Sequence, residues 1–165
     1  MLTTSSRLRI QEILTRLKDG AQKAIEIVQK NNPNFKIQNA KKQDFYDLRK
    51  NLPFELHPYF YAAIFNHQIT KNALLELQEP NYDVQKIANL INAHQDILDK
   101  KLNNTPNEMI RMMNAAKDAG AKATKIVGSG GGGCFLAMSD PKDEKKVLNS
   151  ILNAGAVDAF TVNLI

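Results

Sequence analysis

At Gly120 the spacing of apolar residues changes, and the change limits the chain to folds that keep helices and sheet in separate stretches. Before Gly120, apolar residues recur every three or four positions. After it they fall into short runs or alternate. The first helical stretch runs from Arg7 to Gln29, with Ile10, Ile13, Leu14, Leu17, Ala21, Ala24, Ile25 and Val28 on one face. Asn31-Asn32-Pro33-Asn34 stops it, since proline cannot continue a helix and asparagine favours turns. From there to about Asn51 the pattern is short and indistinct. His57-Pro58 opens a second helix through Tyr61, Ile64, Phe65, Ile69, Ala73 and Leu77, and Glu79-Pro80 ends it. A third spans about Asp83 to Leu102, its stripe formed by Ile87, Leu90, Ile91, Ile97, Leu98 and Leu102, and His94 falls on the same stripe. Thr105-Pro106-Asn107-Glu108 has the form of a capping box, which predicts a fourth helix carrying Met109, Ile110, Met113 and Ala116 and closing at Gly120.

Beyond Gly120, Ala123–Val127 and Cys134–Met138 read as two short strands. Ser139-Asp140-Pro141 begins a last helix through Val147, Leu148, Ile151 and Leu152, with Gly155 past its end. Phe160, Val162 and Leu164 alternate as one face of a closing strand, 159–165. The order of elements predicts an α+β fold, with helices packed on one face of a small, mainly antiparallel sheet. At 165 residues the chain reads as a single domain, 1–165, without internal repeats.

Between the two strands stands the feature most indicative of chemistry. Of the 8 glycines, five fall in the six positions Gly128-Ser129-Gly130-Gly131-Gly132-Gly133. A flexible hairpin turn needs only one or two. Glycine loses the most backbone entropy on ordering, and without Cβ atoms a backbone can approach an anion and aim successive amides at it. Phosphate binding is therefore the reading preferred over a structural turn. The loop has no P-loop lysine, and it leads into a strand rather than a helix, so neither of the two commonest nucleotide motifs applies.

Other classes of function find less support. A net charge of +5, from 22 basic and 17 acidic residues, raises nucleic acid, but the basic residues are dispersed among acidic ones without interleaved aromatics. No apolar run reaches the roughly 18 residues that span a bilayer, and the N-terminus lacks the apolar core of a signal peptide, so no membrane role and a cytoplasmic location are the defaults. His57, His67 and His94 have no metal-ligand spacing, and the single cysteine, Cys134, has no second thiol. Cys134 opens a strand after a glycine loop, a place that predicts burial and a structural role. His94 is read as packed and hydrogen-bonded in preference to catalytic. Asp96 and Asp99 read as a solvated face with Lys100 and Lys101.

The segment Ala121 to Cys134, AKATKIVGSGGGGC, resembles the third motif of the GHMP kinases, which typically reads G-A-K-x-T-G-x-G-x-G-G-C. Upstream, Leu52-Pro53-Phe54-Glu55-Leu56, the helix from Tyr61 to Leu77, Asn92-Ala93-His94 and Thr105-Pro106-Asn107-Glu108-Met109 resemble galactokinase segments in the same order. The resemblance covers roughly Leu52 to Ile165. Two positions depart from it: Val127 replaces the usual threonine, and Gly131 stands where galactokinases carry a bulky residue, as in mevalonate kinases.

The resemblance implies a GHMP kinase C-terminal domain with ferredoxin-like elements. It implies ATP and Mg²⁺ as cofactors in the complete enzyme, and backbone contacts from Gly128, Ser129, Gly130, Gly131, Gly132 and Gly133 to the nucleotide phosphates or the substrate beside them. The family's nucleotide loop, P-x-x-x-G-L-x-S-S-A, and its aspartate-bearing motif have no counterpart here. On that basis Met1 marks the start of a piece or of a split chain. The N-terminal nucleotide-binding domain with its catalytic base lies elsewhere as a partner, and the 165 residues alone are expected to be inactive and to self-associate through apolar surface around the loop. Galactose is the first choice of acceptor, with mevalonate and a heptose phosphate as alternatives. A non-catalytic module that senses an anionic metabolite is the competing reading.

Overall fold

In a computed structural model the chain is described over residues 4–128 and 133–162, with side chains from residue 11 onward. Among the described residues six α-helices and two strands follow in order: α1 (Thr4–Asn31), α2 (Lys42–Leu48), α3 (His57–Leu77), α4 (Val84–Lys100), α5 (Asn107–Asp118), β1 (Ala123–Val127), β2 (Cys134–Met138) and α6 (Glu144–Asn153). Among the described residues, no helix is long and apolar enough to cross a membrane.

Helices α1 to α4 share one core in which Ala24, Val28, Phe60 and Ile64 are fully buried, joined by Phe45, Phe65, Ile97 and Leu102. The indistinct stretch after α1 resolves into short helical turns and α2, which lies too close to its breakers for periodicity to show. Its Phe45 is buried and meets the Tyr61 ring of α3 edge-on, with centroids 5.1 Å apart. Pro58 sits in the first turn of α3, where its missing N–H costs nothing. Asp83 caps α4, its Oδ1 accepting from the amides of Gln85 at 2.8 Å and Lys86 at 3.2 Å. Glu76, buried near the end of α3, pairs with Lys86 and accepts from the Asp83 amide at 2.7 Å, so the α3–α4 turn is clipped shut.

The second half is a layer of α5 and α6 against the sheet. The strands pair antiparallel, Ala123 opposite Met138 and Val127 opposite Cys134. Thr124, Ile126, Phe135 and Ala137 share the covered face, where Met109, Met113, Ala116, Val147 and Ile151 pack. Ala123, Lys125, Val127, Cys134, Leu136 and Met138 share the other, with Val127 49% and Leu136 38% exposed. The expected α+β arrangement, with helices on one face of a small antiparallel sheet, is thus present. Gly120, at φ +111°, ends α5 as expected. The amide of Ala121 bonds the carbonyl of Ala116 at 2.9 Å and that of Gly120 bonds Lys117 at 3.0 Å, the paired closure that a left-handed residue permits.

Two expectations fail. The capping box before α5 does not form. Pro106 takes the cap position without a side-chain bond, and the hydroxyl of Thr105 accepts instead from Gln95 Nε2 at 2.9 Å. A buried amide from α4 has outcompeted the local cap. The closing strand does not form over residues 159–162, and 163–165 lie outside the described residues. Ala159 packs on the α5–α6 cluster, whereas Phe160 and Val162 are 74% and 72% exposed, with no backbone to pair with among the described residues.

Candidate functional site

The glycine loop leaves β1 at Val127 and returns at Cys134. Gly128 and Gly133, its first and last glycines, have φ of +85° and +119°, backbone conformations that side-chain-bearing residues avoid. Ser129, Gly130, Gly131 and Gly132 lie outside the described residues. At both ends a Cβ placed on the backbone would have no atom of the described residues, its chain neighbours aside, within 4 Å. Both glycines therefore border open space, and their requirement for glycine is conformational, not a matter of crowding. An open, left-handed entry and exit suits a loop whose amides turn toward a ligand.

Around the loop's root stand His94, which the sequence singles out, and Lys122, Thr124, Lys125 and Asp140, which it does not mark as site residues. Lys125, directly across from Leu136, is half-buried; its Nζ donates to the carbonyl of Ile126 at 2.9 Å, and burial pushes its ammonium below the usual lysine range. His94 of α4 is half-buried, as its place on the stripe predicted. Burial, then the charge of Lys125, lowers its pKa, so a neutral imidazole stands beside a partly desolvated cation. The expectation of a hydrogen-bonded His94 is not met in full, because its Nδ1 is buried and reaches no partner. Thr124 is fully buried and its Oγ1 likewise reaches none. Lys122 Nζ bonds Asp140 Oδ1 at 2.5 Å, and this holds the aspartate's pKa below the ordinary carboxylate value.

Between α4 and β1 runs a set of side-chain bonds. Asn92 Nδ2 donates to the carbonyl of Lys122 at 2.8 Å, and its Oδ1 accepts from the amide of Thr124 at 3.3 Å. Gln95 Oε1 accepts from the amide of Ile126 at 3.0 Å. The sequence hints at this set in the family-like segment Asn92-Ala93-His94 and in two amide side chains, three residues apart, beside an apolar helical stripe.

The remaining candidates fall into place simply. His57 Nε2 pairs with the carbonyl of Leu52 at 3.2 Å and His67 Nε2 with that of Gln38 at 3.0 Å, both tying loops to α3. Asp96 pairs with Lys100 at 2.9 Å on the exposed side of α4. Cys134 is exposed, against the expectation of burial, because it lies on the sheet face that α5 and α6 do not cover. Among the described residues, no three of His, Cys, Asp and Glu come together as a metal site.

A family profile described as "GHMP kinases C terminal" matches residues 73–157, more than half of the chain. Relatives named mevalonate kinase come from Thermococcus gammatolerans, 28% identical over 68% of this chain and 33% of the relative, and from Thermococcus onnurineus, 31% identical over 55% and 27%. A third, from Pyrococcus horikoshii, is 30% identical over 55% of this chain and 27% of its own length. The chain thus spans a third or less of the curated relatives it matches here. Their name agrees with the alternative acceptor that Gly131 kept open, rather than with galactose.

Proposed function

Since this chain belongs to the GHMP kinase family through the C-terminal domain that defines residues 73–157, we propose that it is the C-terminal part of an ATP-dependent small-molecule kinase with mevalonate as acceptor. The observation that carries the reading is the pair of left-handed glycines, Gly128 and Gly133, at the entry and exit of the glycine loop, neither crowded by any other part of the described residues. The names of the relatives favour mevalonate over the galactose suggested by the order of upstream segments.

ATP, when bound, supplies the phosphoryl group. This chain's part is to hold and orient: the backbone of 128–133 offers amides to phosphate oxygens, and charge is stabilised without proton transfer. Lys125, half-buried at the root of the loop, adds a cation whose desolvation strengthens its field. Mg²⁺, when bound, would be held in large part by the nucleotide phosphates themselves, with one or two carboxylates sufficient to complete its shell. The base that takes the acceptor's hydroxyl proton, and most of the nucleotide contacts, belong to an N-terminal kinase domain, in the same polypeptide or as a separate chain. The uncovered sheet face with Val127 and Leu136 is where that domain would approach, next to the loop.

The test measures ADP release from ATP with mevalonate, galactose or a heptose phosphate, by the 165 residues and by the complete protein. Transfer to mevalonate by the complete protein alone is the expected result. Transfer to galactose restores the first-choice acceptor, transfer by the 165 residues sinks the half-enzyme reading, and no transfer to any acceptor favours a metabolite-binding module.

A further inference from the structure

We propose that Asn92 and Gln95 are positioning residues for the glycine loop: from α4 they act as a surrogate strand along β1 and fix the point at which it hands the chain to Gly128. The three bonds of this ladder fall on the carbonyl of Lys122, just before β1, and on the amides of Thr124 and Ile126, alternate residues along one edge, as the bonds of a neighbouring strand would. Helix and strand geometry explain the residue types. Residues three apart on a helix are about 4.5 Å apart along its axis. Thr124 and Ile126, two apart on a strand, are separated by roughly 6.6 Å. The longer reach of glutamine over asparagine helps to make up the difference, in the direction in which β1 runs.

Gln95 is held rigidly for this task. It is 5% exposed, and its other end donates to Thr105 Oγ1 at 2.9 Å, so both halves of the amide are engaged. Its partner Ile126 is gripped a second time, its side chain packing with Met109 and Met113 of α5, the helix that Thr105 precedes. A one-residue slip of β1 would face Gln95 with groups pointing to β2 and would strand a buried amide. The register is therefore fixed to the residue, and the last rung stands two positions before Gly128.

The structural claim is independent of the kinase reading, while its consequence for ATP rests on that reading. The experiment follows amide exchange and glycine resonances by NMR in the full 165-residue chain. In Gln95→Met, exchange at Ile126 is expected to rise by at least about tenfold while Ala123 and Lys125, bonded to β2, change by less than about threefold, as in a local opening. The Gly128 and Gly133 resonances should move. Asn92→Asp keeps the acceptor and should retain protection at Thr124, whereas Asn92→Leu should lose it; these variants also serve if Gln95→Met does not fold.

In the complete enzyme, Gln95→Met should raise the KM for ATP by about fivefold or more with kcat changed by less than about twofold. Unchanged exchange at Ile126, equal acceleration across both strands, or local release that leaves Gly128 and Gly133 unmoved overturns the proposal. An unchanged KM for ATP in an active enzyme does so as well. A wild-type complete protein that transfers nothing from ATP defeats the kinase reading, and the exchange and resonance data still decide the ladder.

Discussion

Replacing Gly133 by alanine isolates what the loop asks of its backbone. At φ +119° an L-residue lies outside even the left-handed helical region, and such conformations cost about 1–3 kcal/mol. Gly128, at +85°, is nearer that region, where the cost is roughly 1–2 kcal/mol. Alanine returns about 0.4–1 kcal/mol by restricting the unfolded chain. Among the described residues no atom beyond the chain neighbours lies within 4 Å of either added Cβ, so no packing term enters from them. The net loss is then about 1.5 kcal/mol for Gly133→Ala and nearer 0.7 kcal/mol for Gly128→Ala. At this chain length that is a fall in Tm of roughly 3–6 °C and 1–3 °C respectively. Gly128→Asn should lose less than Gly128→Ala, since asparagine tolerates positive φ.

The yardstick is Ile126→Ala, which empties a site 2% exposed between Met109 and Met113 and should cost about 2–5 kcal/mol. Thermal unfolding followed by circular dichroism measures all four variants. If Gly133→Ala matches the wild type, the left-handed exit is not required. If it loses as much as Ile126→Ala, the residue serves packing, and the open-loop argument fails.

Two further outcomes are expected. Gly20→Ala in α1 would normally gain about 1 kcal/mol of helix propensity. Its Cβ would, however, stand 2.6 to 2.7 Å from Cδ1, Cε1 and Cγ of Tyr59, and overpacking of about 1–3 kcal/mol should leave the variant less stable in thermal unfolding; a gain would refute this contact. His94, titrated by NMR, should show a pKa below 6.5, since burial and Lys125 both oppose its charged form. With the folded pKa depressed, its share of stability is complete above the unfolded value and is lost as pH falls from about 6.5 through the folded pKa. His94→Gln should flatten that limb of the stability profile, and an unchanged profile would show that the ring is not desolvated.

The helices were legible wherever an apolar stripe met a clear stop: Asn31-Asn32-Pro33 after α1, His57-Pro58 at the head of α3, Gly120 at the end of α5. The strand, glycine loop and strand could be read because glycine concentrates for few reasons. What failed needed a partner remote in sequence. Thr105 has all the local chemistry of a cap, yet Gln95, ten positions earlier, claims its hydroxyl. Cys134 was expected inside because strands are usually covered, and nothing local says that the loop end of one sheet face, at Val127, Cys134 and Leu136, is left exposed. Residues 159–162 alternate like a strand, but alternation supplies no neighbour. Asn92 and Gln95 look like solvent-facing amides until β1 is set beside them. The acceptor was read from segment order, whereas Gly131 in the loop itself pointed toward the name that the relatives carry.

The ladder on β1 also gives the sheet a polarity. With one margin closed by side chains from α4, a further chain can join only at β2, where the backbone groups of Phe135 and Ala137 face outward with no backbone partner among the described residues. An unprotected margin of this kind recruits strands indiscriminately, so colloidal stability, yield and shelf life of the 165 residues would depend on five residues of β2 and on the apolar side chains of Phe160 and Val162. Leu136→Glu, directly across from Lys125, is a small change that would discourage such pairing by placing a charge on β2 while leaving the rungs to α4 in place.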